Sequence, residues 1–126
     1  MKNLLFLLLF IPLVSCDSEL TRGETIDKMN RDVKSALPYD FNNGIVWIKA
    51  INEDNLRAVK IYDVSEYGVS VVEDYISKSQ IMQDTRAIPN KKGYKITQEK
   101  KIISVWRYFH NNTLIKEITV NPEEWE

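Results

Sequence analysis

The chain of 126 residues contains one cysteine, one histidine and four glycines. Each scarcity removes a class of chemistry. With Cys16 alone there is no internal disulfide and no Cys-rich zinc site, so an exported form must fold by burial. His110 falls in a predicted hairpin turn beside Asn111 and Asn112, and a His-based triad or metal site needs partners that nothing nearby supplies. Gly23, Gly44, Gly68 and Gly93 lie far apart, which excludes a phosphate-cradling loop. None of Ser65, Ser70, Ser77, Ser79 and Ser104 sits in a Gly-x-Ser-x-Gly elbow. Glu73-Asp74 and Glu123-Glu124 are adjacent acids expected to be solvated, whereas carboxylate pairs that divide acid and base work face each other across a cleft. No catalytic residue, cofactor, metal or small-molecule substrate is therefore expected. A net charge of −1 gives no bulk attraction for nucleic acid.

Long apolar runs are missing except at the start, where Leu4 to Val14 follows a single lysine, Lys2, and ends in Leu13-Val14-Ser15-Cys16. That run is short for a bilayer span and has the flanks of a cleaved signal. It resembles a bacterial lipoprotein signal peptide with its lipobox. The resemblance implies cleavage after Ser15, acyl chains such as palmitate on Cys16, and a domain held on a membrane facing the periplasm. Several chains on one residue make such an anchor stable. Asp17, directly after the lipidated cysteine, resembles the sorting signal that retains lipoproteins in the inner membrane of enteric-type bacteria; with other sorting rules the outer membrane is the alternative.

Removing residues 1–15 of 126 leaves 111, enough for one core and too few for two. We expect a lipidated cysteine and tether over 16–22 and a single domain over 23–126. Thr21-Arg22-Gly23-Glu24 has the form of a capping box, and Ile26, Met29, Val33 and Leu37 follow at helical spacing until Pro38. Ile45 to Ile51 and Leu56 to Tyr62 read as strands joined by Asn52 to Asn55, the first buried on much of both faces. Ser65 to about Met82 reads as a second helix, although Gly68 and the valines weaken its propensity. Arg86 to Lys101, with Pro89, Gly93 and six basic residues, reads as an exposed loop with at most one helical turn. Ile102 to Phe109 and Leu114 to Val120 complete a second hairpin through His110 to Thr113. The expectation is an α+β domain: a four-stranded, mainly antiparallel sheet with two helices on one face.

Charge is unevenly spread. Asp17 to Thr85 carries 13 acidic and 8 basic residues, whereas Arg86 to Val120 carries 8 basic and 2 acidic. Lys91, Lys92, Lys95, Lys100 and Lys101 are candidates for a basic surface against anionic lipid or an acidic partner, with a solvated face as the alternative. Trp47, Trp106, Tyr108 and Phe109 are expected to pack on the sheet. Trp125, between acids at the end of the chain, either tucks over the sheet edge or projects as an interaction anchor.

The order of elements, together with Leu37-Pro38, Trp106-Arg107-Tyr108-Phe109 and Leu114 to Val120, resembles small periplasmic lipoproteins such as the β-type pilotins of type II secretion. Those pilotins typically carry a disulfide; here Gln83 or Asp84 and Trp125 stand in the corresponding neighbourhoods. The resemblance implies a partner in an outer-membrane secretin, while the wider expectation is a non-enzymatic accessory, exclusion or immunity protein that acts by protein interaction.

Overall fold

The structure, a computed structural model, describes residues 19–88 and 92–126. Cys16, Asp17 and Lys91 lie outside the described residues. The first helix, α1 (Arg22–Lys34), opens on the expected capping box: Thr21 Oγ1 accepts from the Glu24 amide at 3.1 Å, and Glu24 Oε1 accepts from the Thr21 amide at 2.9 Å. These bonds to Thr21 hold the Glu24 carboxyl below its ordinary range. A cap of this kind contributes about 1 kcal/mol by satisfying amides that have no partner inside the helix. Its inner face places Ile26 and Met29 against Ala58 and Ile102.

Five strands follow, where four were expected. The extra one, β1 (Tyr39–Asp40), is two residues long and pairs with Trp47 and Val46 of β2 (Ile45–Glu53). No alternation can announce a strand that short. β2 turns into β3 (Arg57–Val64) through Asp54 and Asn55, both left-handed at φ +59° and +54°, with the Leu56 amide donating to the Glu53 carbonyl at 3.1 Å. Two consecutive left-handed residues match the twist of a hairpin, and Asp and Asn tolerate that region. Asn111 and Asn112 do the same at φ +49° and +65° between β4 (Ile103–His110) and β5 (Thr113–Val120).

The sheet order is β1-β2-β3-β4-β5, with every neighbouring pair antiparallel except β3 and β4. That parallel pair joins the two expected hairpins into one mixed sheet, with Ala58 opposite Ser104, Lys60 opposite Trp106 and Tyr62 opposite Tyr108. Parallel neighbours need a crossover. It consists of α2 (Glu66–Tyr75), α3 (Lys78–Arg86) and α4 (Lys92–Lys100). The helix expected from Ser65 to Met82 is thus divided, because Ser77 caps a new start by accepting from the Gln80 amide at 3.1 Å. Nor is Arg86 to Lys101 a loop with one turn, since α4 runs for nine residues. Among its described side chains the inward stripe is Tyr94 and the buried Thr97, too thin for hydrophobic spacing to reveal.

All four helices pack on the same side. Ala58, Lys60, Tyr62 and Val64 alternate toward them, together with Ser104, Trp106 and Tyr108, whose register partners they are. Val72, Ile81 and Trp125 close the main core over Tyr62, Trp106, Ile118 and Val120. The opposite face carries Glu53, Arg57, Arg107 and Glu117 around the buried Val59 and Val105, and no described helix lies on it. Ile45 to Ile51 is less enclosed than expected: Ile45 is buried, but Ile48 is 42% exposed.

Candidate functional site

The helix-covered face is not fully closed. Between β1, the sheet and the α2–α3 pair lies a groove of about 500 Å³. Tyr62 and Tyr108 form its floor, stacked at 4.6 Å between ring centroids with planes 12° apart. Their stacking follows from the parallel register that sets the two rings side by side. Phe41 leans toward Tyr62 at 6.3 Å and meets Tyr39 edge-on at 4.9 Å. Ile76, Ile81 and Ile88 supply the helical wall. Burial pushes both tyrosine hydroxyls well above their ordinary ionisation range, so they are neutral throughout the physiological range.

Two glycines set the approach of the turn before β2 to α2, beside the groove. Gly44 has φ +89°, and a Cβ there would sit 2.5 Å from the Gly68 amide; the reverse substitution would meet the Gly44 carbonyl oxygen at 2.4 Å. The turn before β2 therefore lies backbone to backbone on the first turn of α2, fixed by the Ser65 amide donating to Gly44 O at 2.8 Å. At the other end of α2, the Lys116 ammonium donates to the carbonyls of Val72 and Ile76. A cation at a helix C-terminus satisfies orphan carbonyls and complements the dipole.

The rim of the groove is apolar and open: Phe41 is 45% and Ile88 54% exposed. Asn43, Asp84 and Thr85 interrupt it with polar groups. A concave apolar floor with exposed apolar edges and few polar groups suits an amphipathic segment; among the described residues no nucleophile and base are paired there.

Deeper under α1, the Lys60 ammonium lies 5.0 Å from the Trp106 ring and 5.7 Å from Trp47. Among the described residues it has no carboxylate or hydrogen-bond partner. Burial pushes its pKa down to about 8. The indoles offset part of the cost of desolvating this amine through their quadrupoles.

Trp106 and Tyr108, expected to pack on the sheet, line the groove, but the described residues singled out for interaction do not. Trp125 is tucked back and does not project: it is 4% exposed, stacked on Tyr94 at 5.3 Å, with the Arg86 guanidinium 5.7 Å from its ring. Its indole N–H has no partner among the described residues. Lys92 begins α4, Lys95 is exposed on it, and Lys101 follows it, exposed. The Lys100 ammonium donates to the Leu20 carbonyl at 2.6 Å. His110 is partly buried rather than a free turn residue, with Nδ1 2.7 Å from the Val64 carbonyl, which requires the proton on that nitrogen. Phe41, Ile81 and Ile88 were not singled out in the sequence; the parallel β3–β4 pairing and the break in the helix at Ser77 bring them together.

Neither a protein-family model nor a curated protein matches the chain. Among solved structures it is similar to a "putative secreted protein (PA3611)" of Pseudomonas aeruginosa, with a TM-score of 0.70 and 14% identity over 87% of this chain and 96% of that one. At that identity the likeness establishes a shared fold. Among the described residues no helix is long and apolar enough to cross a membrane, and no group of three or more His, Cys, Asp or Glu is placed to hold a metal ion.

Proposed function

We propose that this chain is a bacterial lipoprotein, anchored through Cys16 and facing the periplasm, that works without catalysis by holding the apolar face of an amphipathic segment of a partner protein. The observation that carries this reading is the groove floored by Tyr62 and Tyr108 with an exposed apolar rim. Grooves of this type receive helices through apolar side chains at i, i+3, i+4 and i+7.

The chain's entry into the fold supports the same arrangement. Arg22 Nε donates to the Asn55 carbonyl at 2.8 Å, and Lys100 binds Leu20, so residues 20–22 are pinned at the pole that carries the β2–β3 turn. Tyr62 lies four residues up β3 from Ala58, about 13 Å toward the other pole. Four residues of tether from Cys16 to Leu20 reach only about 14 Å. A membrane at the first pole leaves the groove open to partners in the periplasm.

A photo-crosslinking residue placed at Phe41 should trap one protein in cells, and the same residue placed at Lys95 should not. Equal trapping at both positions, or none at Phe41, would remove the groove from function. Cys16→Ser should leave an unprocessed chain that no longer fractionates with membranes as the lipoprotein does. A second reading, a pilotin-like chaperone of a secretin, is supported by the Leu37-Pro38 junction and the helix-hairpin order, and requires outer-membrane residence. Asp17 supports the inner membrane instead, where an accessory, exclusion or immunity role fits. Density-gradient separation of the two membranes decides between them.

A further inference from the structure

Because β1 is two residues long, it covers β2 only at Val46 and Trp47. From Ile48 to Glu53, β2 has β3 on its inner side and no described strand on its outer side. Among the described residues, Ile48, Ala50 and Asn52 make no backbone hydrogen bond outside the sheet. An edge of this kind is a template for another strand. The bulge between Trp47 and Lys49 marks where it begins, and the Trp47 indole already occupies the Lys49 carbonyl at 3.0 Å.

α1 runs beside this edge and leaves a groove of about 560 Å³, distinct from the aromatic one. Leu37, Ile48 and Ala50 supply its apolar lining, and Arg31, Lys34 and Lys49 its charge. The single acid there, Asp27, accepts from Asn52 Nδ2 at 3.0 Å. Arg31, Lys34 and Lys49 are exposed and have no carboxylate partner among the described residues. Three cations without a described carboxylate partner, two on α1 and one on β2, flank this edge in a chain of net charge −1 and define the sign of what would pair there.

The geometry points to a strand-addition site: an extended acidic segment of a partner protein pairs with the outer edge of β2 between Ile48 and Asn52 and carries its carboxylates to Arg31, Lys34 and Lys49. Strand addition draws affinity from main-chain bonds and specificity from alternate side chains. The stretch of α1 from Asp27 to Lys34 rises about 10 Å, which matches three to four extended residues. The site goes beyond the proposed function, since it shares no residue with the aromatic groove and can fail without it.

The test uses the full chain carrying Cys16→Ser, labelled with ¹⁵N in detergent, and capped decapeptides alternating valine or threonine with glutamate. The acidic peptide should shift amides of Ile48 to Asn52. Replacing its glutamates by lysine, or its central residue by proline, should abolish those shifts, the first by charge and the second by breaking the ladder. Arg31→Glu, Lys34→Glu and Lys49→Glu together should weaken binding at least tenfold; all three side chains are exposed, and unchanged circular dichroism would show the fold kept. Equal binding of the proline or lysine peptides, or shifts at Phe41 and Tyr62 instead, would overturn the proposal. It would be overturned equally if the peptide leaves the edge unshifted while vesicles of phosphatidylglycerol and phosphatidylethanolamine bind through the same three cations.

Discussion

Lys60 and Arg107, on opposite faces of the central sheet, are held in opposite ways. On the helix-covered face Lys60 sits between Trp47 and Trp106 with no described carboxylate, and burial lowers its pKa to about 8. On the other face Arg107 grips Glu53 through two bonds of 2.8 and 2.9 Å and reaches Glu117 at 2.6 Å. There the guanidiniums of Arg107 and Arg57 hold the Glu53 carboxyl down at about 2. Desolvation penalises the charge on Lys60, and pairing stabilises those on Arg107 and Glu53. Around Lys60 water does not set the chemistry, and the aromatic groove opens into the same covered face.

The largest effect should come from removing the wall that makes Lys60 costly. Trp106 is 6% exposed in the main core, so Trp106→Ala should destabilise the fold by about 3 to 5 kcal/mol, measured by urea denaturation. Lys60→Met keeps the stem and removes the charge. A folded pKa near 8 against an ordinary 10.5 means that the penalty is fully present below pH 8 and disappears as the pH rises to 10.5. The variant should therefore be more stable than the parent at pH 7, by up to about 3 kcal/mol, and the gap should close toward pH 10.5. A gap that is the same at pH 7 and pH 10 would mean that Lys60 is solvated.

Arg107→Met acts on the opposite face with the opposite sign. Glu53 has its pKa lowered from 4.5 to about 2, so the stability it contributes is complete above pH 4.5 and lost as the pH falls through 2. Its side chain is 29% exposed, which discounts the pairing for screening to about 1 to 2 kcal/mol at pH 7. Parent and variant should converge in stability between pH 4.5 and pH 2. If they stay apart at pH 2, Arg107 acts through packing of its stem rather than through charge.

How much of this was legible in the chain depended on range. The capping box at Thr21, the turns at Asp54-Asn55 and Asn111-Asn112, and the alternation of Ala58, Lys60 and Tyr62 are local signals, and the structure shows each of them. The α+β class and the packing of helices on one face follow from those patterns. The parallel join of β3 and β4 does not, because nothing in either hairpin specifies which strand of the other it meets; without that join Tyr62 and Tyr108 cannot be placed together. The basic rim of the β2 edge is hidden for the same reason, its cations being divided between α1 and β2, whereas the lysines from Lys91 to Lys101 are neighbours in sequence, which does not make them one surface. β1 was too short, and the inward stripe of α4 too thin, for periodicity to register.

The smallest expected effect tests whether the charged face is as open as its pairing implies. Glu117 lies on the outer strand β5 with its side chain 40% exposed, bonded to an Arg107 that Glu53 already holds at two points. Removing its charge leaves Arg107 paired, so no buried ion is orphaned and the large penalty of a broken buried bridge does not arise. Glu117→Gln should therefore cost only a few tenths of a kcal/mol at low ionic strength, as exposed pairs do. Raising the salt to 1 M, where the screening length falls to about 3 Å, should erase even that. Denaturation of the full chain at both salt concentrations measures it. A loss above about 1.5 kcal/mol that persists in high salt would place Glu117 in a desolvated network, and the contrast between a desolvated cation and a paired one would then fail at this edge of the sheet.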